Sequence, residues 1–288
     1  MPSDGRSKQP SNERKITTTM NTTTPTTQTG VPDYFTKYEH LHLSRTTDGI
    51  LEIRFTTNGG PIVFTGKDHT EFVEAFFQIS RDRANKVVIL TGTGDEWFAQ
   101  IDGPSLGDIT NPREWYNTWW EGQKVLQNLV DINVPVIAAI NGPATVHSEY
   151  ALTADVLLAS ENAYFQDFPH LTFGIVPGDG VQTVWAKALG DYRAKYFLYT
   201  QQKLSAQEAR QLGLVAEVLP DSAALMNRAY EIARQLLTIP DLTRRFMRSV
   251  FTQNLKRDFL EQVGYGMALE GISATDLKIA AEEASRNK

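Results

Sequence analysis

From about residue 38 onward, short apolar runs alternate with amphipathic stretches, the pattern of strands interleaved with helices. Leu51, Ile53 and Phe55 share one face of a half-buried strand, and residues 86–91 (KVVILT) read as a fully buried one. Between them Phe72 and Phe76, like Val73 and Phe77, stand four residues apart, which predicts a helix with an apolar stripe and charges opposite. Pro112 opens a second helix, about residues 113–131, carrying Trp115, Trp119, Leu126 and Leu129, its tryptophans read as core. Two more buried strands follow, residues 134–140 (VPVIAAI) and 155–160 (DVLLAS), and each delivers the chain into a polar loop. Beyond Glu217-Val218-Leu219 the pattern is helical, with breaks near Pro220 and at Pro240. Ala229, Ile232, Ala233 and Leu236 form one apolar stripe there, and Phe246, Val250 and Phe251 a second.

The first thirty residues are rich in Thr, Ser, Asn, Gln and Pro and nearly free of large apolar side chains, so they cannot repay the entropy of ordering. We read a disordered tail over residues 1–30, a core over 31–220 and a C-terminal helical segment over 221–288. With 288 residues, 41% of them hydrophobic, the chain can bury a full core. There is no apolar signal-peptide region and no run of about 18 apolar residues, so a cytoplasmic protein is expected, without a membrane partner. A formal charge of −6 disfavours nucleic acid as a partner. The absence of cysteine excludes disulfides, thiolate metal sites and a cysteine nucleophile.

The chemistry concentrates in two loops, NGPATVHSE (141–149) and FQDFPHLTFGIVPGDG (165–180). In the second, His170 and Asp179 stand on two loop positions joined by a short apolar run, and they meet if the chain doubles back between them. An imidazole held by a carboxylate takes a proton from water near neutral pH. The alternative for Asp179 is plain turn chemistry, capping the helix predicted over Val181–Leu189. GPSLG (103–107) matches the G-x-S-x-G pattern of serine hydrolases, but no helix follows Ser105 directly, so we do not take it as a nucleophile.

In series, KVVILTGTGDEWFAQID, VPVIAAINGPA, ADVLLASENAYFQ, GIVPGDG and LSAQEARQLGLVAEVL resemble the crotonase (enoyl-CoA hydratase/isomerase) superfamily over about residues 38–219. The resemblance implies an α/β fold, a spiral of strand-strand-helix units, with C-terminal helices that build trimers or dimers of trimers. It also exposes departures. Gln100 stands where acyl-CoA members have a glycine in the first oxyanion loop. Thr145-Val146-His147-Ser148 replaces a glycine-rich second loop and would crowd a thioester. Of the two hydratase glutamates, one position corresponds to Glu149, and the second falls on His170.

NGPATVHSE, FQDFPHLTFGIVPGDG and GYGMALEGISATDL look most like the β-diketone hydrolase branch typified by 6-oxocamphor hydrolase. That resemblance implies His170 as general base, Asp179 as the residue orienting it, His147 as the group binding a substrate oxygen, and Glu270 completing the polar site. Phe64 falls where the camphor enzyme has a tryptophan, which removes one carbonyl donor, and Glu149 supports the substrate pocket. The implied reaction is retro-Claisen cleavage of a small-molecule 1,3-diketone to a keto acid. It needs neither metal nor organic cofactor, since the second carbonyl is the electron sink. Two other readings stay open: an acyl-CoA hydratase or isomerase, and a non-catalytic scaffold of the same fold.

Overall fold

The computed structural model describes residues 30–286. The expected tail therefore lies, apart from Gly30, outside the described residues. In chain order the elements are β1 (Leu41–Arg45), β2 (Ile50–Phe55), β3 (Val63–Phe64), α1 (Gly66–Arg81), β4 (Val87–Thr91), β5 (Gln100–Ile101), α2 (Pro112–Asp131) and β6 (Val136–Ile140). There follow α3 (Ser148–Leu152), β7 (Val156–Ser160), β8 (Tyr164–Phe165), α4 (Pro169–Phe173), α5 (Val181–Leu189), α6 (Asp191–Tyr199), β9 (Leu204–Ser205), α7 (Ala206–Gln211) and β10 (Glu217–Leu219). Two helices come last, α8 (Ser222–Leu237) and α9 (Asp241–Arg286).

β1 pairs antiparallel with β2, and β2, β4, β6, β7 and β10 then run parallel in that order. The buried strands sit where the apolar runs place them. The run VPVIAAI becomes strand only at Val136, since Pro135 has no N–H to give a ladder. Both faces of the sheet are covered, which is why these strands read as continuous apolar runs. Val88, Leu90, Ala138 and Ile140 join a core with Phe72 and Phe76 of α1 and Leu126 and Leu129 of α2. On the opposite face Val87, Ile89, Ile137 and Ala139 meet Leu225, Ala229 and Ala233 of α8, with Ile232 and Leu236 packed alongside. The first C-terminal stripe thus lies on its own sheet and is not free for another subunit. Phe246, Val250 and Phe251, by contrast, are exposed.

α9 ties the base of the sheet to its top. Its first turns bury Arg244, Arg245 and Arg248. They donate to Lys86 O (2.9 Å), Asn85 O (3.0 Å) and Ile132 O (2.8 Å), the segments that enter β4 and β6, and Arg248 also pairs with Asp155 ahead of β7. Glu270 stands 22 residues after Arg248, about 33 Å along the helix at 1.5 Å per residue. There α2 grips α9: the indole N–H of Trp115 donates to Met267 O and that of Trp119 to Gly264 O, both at 2.9 Å. Gly266 of α9 lies backbone to backbone against Gly178, and a Cβ on either would collide with the other's carbonyl. Among the described residues no helix is long and apolar enough to cross a membrane.

Candidate active site

The first polar loop leaves the C-terminal end of β6, and the second follows β8, the short strand reached beyond the C-terminal end of β7; that end is the edge at which open parallel sheets place ligands. A cavity of about 310 Å³ lies there. Its walls are largely apolar, with Phe64, Leu106, Trp115 and Phe173 among them, and the polar groups gather along one side.

His170 occupies the first turn of α4, entered at Pro169, where a loop was expected. Its ring is buried, and three carboxylates surround it. Nδ1 lies 2.6 Å from Asp167 Oδ1, while Nε2 stands 3.6 Å from both Asp179 Oδ2 and Glu270 Oε1. The chain does double back to bring Asp179 to His170, but the hydrogen-bonded partner is Asp167, which the sequence reading passed over. Asp167 is three residues before His170, so the one-turn helix alone brings them together.

His147 is the N-cap of α3 and adopts φ 49°, ψ 43°, a left-handed conformation rare for a residue with a Cβ. Thr145 and Val146 precede it, and both of their N–H groups donate to Phe98 O. This loop therefore turns a side chain to the cavity, with those two backbone donors already engaged. The His147 ring stacks on Tyr150 (4.8 Å, 5°) and meets the edge of Phe64 (4.5 Å, 69°). Its Nδ1 lies 2.6 Å from Glu149 Oε1 and 3.7 Å from Asp179 Oδ2. Asp179 thus sits nearly midway between the two imidazoles. It also accepts from Val181 N–H (3.3 Å), so the turn-capping alternative holds alongside this placement.

His69 of α1 was likewise passed over. It lines the cavity beside His147, with ring centroids 5.8 Å apart, and its buried Nδ1 has no partner among the described residues. Its place on a mixed helix face gave no periodic signal. Ser105 lies apart from this cluster, its hydroxyl donating to Asp102 O and accepting from Gly66 N–H.

Burial and crowding decide the protons. Burial opposes charge on His170, but the negative charges of Asp179 and Asp167 outweigh it and hold the ring well above the ordinary imidazole value. His147 is raised too, since Glu149 and Asp179 more than offset its burial. Burial, reinforced by Asp179, pushes Glu149 up to about 7, and burial pushes Glu270 up to about 7. His69 goes the other way, pushed down to about 3 by burial and by the charge of His147, and so stays neutral.

One donor atom each from His147, Glu149 and Asp179 lies within 4.8 Å of the others, and a divalent metal takes nitrogen and oxygen ligands of this kind. The 2.6 Å contact of His147 with Glu149 is a charge-assisted hydrogen bond, however. Two ligands each about 2 Å from an ion would stand roughly 3 Å apart.

Residues 45–270 match the enoyl-CoA hydratase/isomerase family. The chain belongs to that family. A short-chain-enoyl-CoA hydratase of Clostridium acetobutylicum is 32% identical over 63% of this chain and 69% of that protein. A carnitinyl-CoA dehydratase of Proteus mirabilis is 30% identical over 81% and 87%. Among solved structures, a β-diketone hydrolase from the cyanobacterium Anabaena sp. PCC 7120, bound to (S)-3-oxocyclohexyl acetic acid, is 62% identical. It superposes with a TM-score of 0.85 and covers 87% of this chain and 100% of that one. The crotonase fold and the family are thereby settled for this member of the enoyl-CoA hydratase/isomerase family.

The four upward shifts carry a consequence for stability. Below their ordinary values the two histidines and two glutamates are protonated in both states. As pH rises, the unfolded chain releases these protons first, and the folded site must then give up protons it holds tightly. The melting temperature is expected to fall as pH rises from about 4.5 through about 7, where the glutamates titrate, to go on falling above about 6.5 as the histidines do, and to fall less in Glu270→Gln. A profile that is flat or rises over that range, followed by calorimetry, contradicts the assignment.

Proposed function

We propose that this protein hydrolyses a carbon–carbon bond of a small 1,3-diketone, giving a keto acid, with no coenzyme A thioester involved. The observation that carries the reading is the buried His170 ring, its Nε2 facing two carboxylates at 3.6 Å in a cavity whose remaining walls are largely apolar. The 62% identity to a protein described as a β-diketone hydrolase and bound to a keto acid supports it. So do the Thr145 and Val146 N–H groups, which both donate to Phe98 O and so are already engaged within the chain.

In this reading neutral His170 takes a proton from water at Nε2 while the water oxygen adds to one carbonyl carbon. The tetrahedral alkoxide reforms a C=O bond and expels the bond to the central carbon, whose electron pair passes to the second carbonyl as an enolate. His147, charged and paired through Nδ1 with Glu149, donates from Nε2 to the developing oxyanion. In this reading the neutral His69, which lines the same cavity, holds the substrate's other oxygen. The His170 imidazolium returns its proton to the central carbon, and the base is restored. Because the ring's pKa is raised, its basic form grows above neutral pH.

For assembly we propose a trimer or dimer of trimers. The exposed apolar side chains of α9, Phe246, Val250, Phe251, Leu260 and Ile272, support it, since a surface of this kind is buried in assemblies. Sedimentation of the full chain is expected to give three or six copies, and a monomer at micromolar concentration would refute it.

Loss of enol absorbance across a panel of cyclic and open-chain 1,3-diketones, with crotonyl-CoA as control, tests the activity. Diketone loss is expected, with a keto acid formed from a cyclic substrate and a carboxylic acid plus a ketone from an open-chain one, and hydration of the thioester without diketone cleavage would overturn the reading. Turnover is expected to fall on the order of 10² to 10⁴ in His170→Ala, with the fold retained. It is also expected to rise with pH through a midpoint above about 6.5 in the wild type.

A further inference from the structure

Asp167 lies between β8 and α4, and its backbone is fixed on both sides. Gln166 N–H donates to Ala144 O (3.2 Å) and Phe168 N–H to Thr145 O (3.1 Å), so this segment is tied to the loop that carries His147. The side chain is 4% exposed. Oδ1 makes the 2.6 Å contact with His170 Nδ1, and the buried Oδ2 has no partner among the described residues.

A buried carboxylate that serves the fold is ordinarily satisfied at both oxygens, often by backbone N–H groups. Asp167 makes one strong contact, and that contact is with an imidazole. A charged carboxylate can only accept, so the hydrogen bond runs from Nδ1–H to Oδ1. The proton of the neutral ring is then on Nδ1, and Nε2, the nitrogen facing the reacting side, carries the free lone pair.

We propose that Asp167 is the positioning residue of His170, fixing the Nδ1–H tautomer, aiming Nε2 into the cavity and stabilising the imidazolium that forms when Nε2 takes a proton. Asp179 and Glu270 then act on the Nε2 side. His147 shares Asp179 with His170, so the groups facing the ring are Asp167, Asp179, Glu270 and, through Asp179, His147. The catalytic consequence rests on the diketone-hydrolase reading, whereas the hold on the ring does not.

Both parts are tested on the full chain. The nitrogen NMR signals of the His170 ring, assigned by their loss in His170→Gln, are followed against pH in wild type, Asp167→Asn and Asp167→Glu. In the wild type the neutral ring is expected to be protonated at Nδ1. In Asp167→Asn the midpoint is expected to fall by about one pH unit or more, because a negative charge in contact is gone and the amide can donate to Nδ1. Asp167→Glu keeps the charge, and its midpoint is expected to lie nearer the wild type. With a diketone that the wild type cleaves, Asp167→Asn is expected to lower kcat on the order of 10² to 10⁴ while KM changes by less than about tenfold, and Asp167→Glu to recover part of kcat. A neutral wild-type ring protonated at Nε2, an unshifted midpoint in Asp167→Asn, or a kcat within about threefold of wild type would overturn the proposal. An Asn variant that fails to fold also counts against it, since it would place Asp167 in the fold's support. If the wild type cleaves no diketone, the function reading fails, and the ring titration still decides whether Asp167 holds His170.

Discussion

Four buried or nearly buried carboxylates, Asp167, Asp179, Glu149 and Glu270, share a small volume with the rings of His147 and His170, and the site can be buried only because these carboxylates are paired with the rings or held protonated. Burying an unpaired carboxylate costs several kcal/mol, and removing one partner of a buried pair costs as much again. The structure answers with pairing at two short contacts, Asp167 with His170 and Glu149 with His147, both at 2.6 Å. Asp179 lies at about equal distance from both rings and couples the pairs. A proton gained or lost at one imidazole is therefore felt at the other. That coupling suits a reaction in which one ring takes a proton while the other steadies an oxyanion.

The scaffold holds this cluster by bringing three separate chain segments to the same end of the sheet. Loops after β6 and β7 deliver the histidines, as parallel strands commonly do. Glu270 arrives differently, on a helix whose arginines are anchored at the opposite end of the strands. The Gly178 and Gly266 contact lets that helix approach the turn bearing Asp179 closely enough for both carboxylates to reach one ring nitrogen. Trp115, read from its periodicity as core, also sets the height of α9 through its indole N–H.

Much of this was legible in the chain. Apolar runs marked the parallel strands because both sheet faces are buried, and Pro112 marked a helix start. His147, His170, Asp179 and Glu270 were singled out, and the structure gathers all four around one cavity. What escaped was short-range or orientational. Asp167 and His170 meet only because a single helical turn forms where the sequence reads as loop, so a carboxylate partner for the ring was sought nine residues downstream, while the one in hydrogen-bond contact lies three upstream. His69 sits on a helix face with no pattern to distinguish it. The stripe on α8 was periodic, yet periodicity cannot tell a chain's own sheet from a neighbouring subunit, and here it is the sheet.

The central claim is that water, deprotonated at His170, attacks the diketone carbonyl directly. A single turnover in water enriched in oxygen-18, with enzyme in excess over a cyclic 1,3-diketone, tests it by mass spectrometry of the keto acid. Direct attack predicts one heavy oxygen in the new carboxylate on the first turnover. A first-turnover acid carrying only light oxygen, the label appearing later or in a carboxylate of the protein such as Glu270, would show that a side chain had attacked instead and would contradict the account.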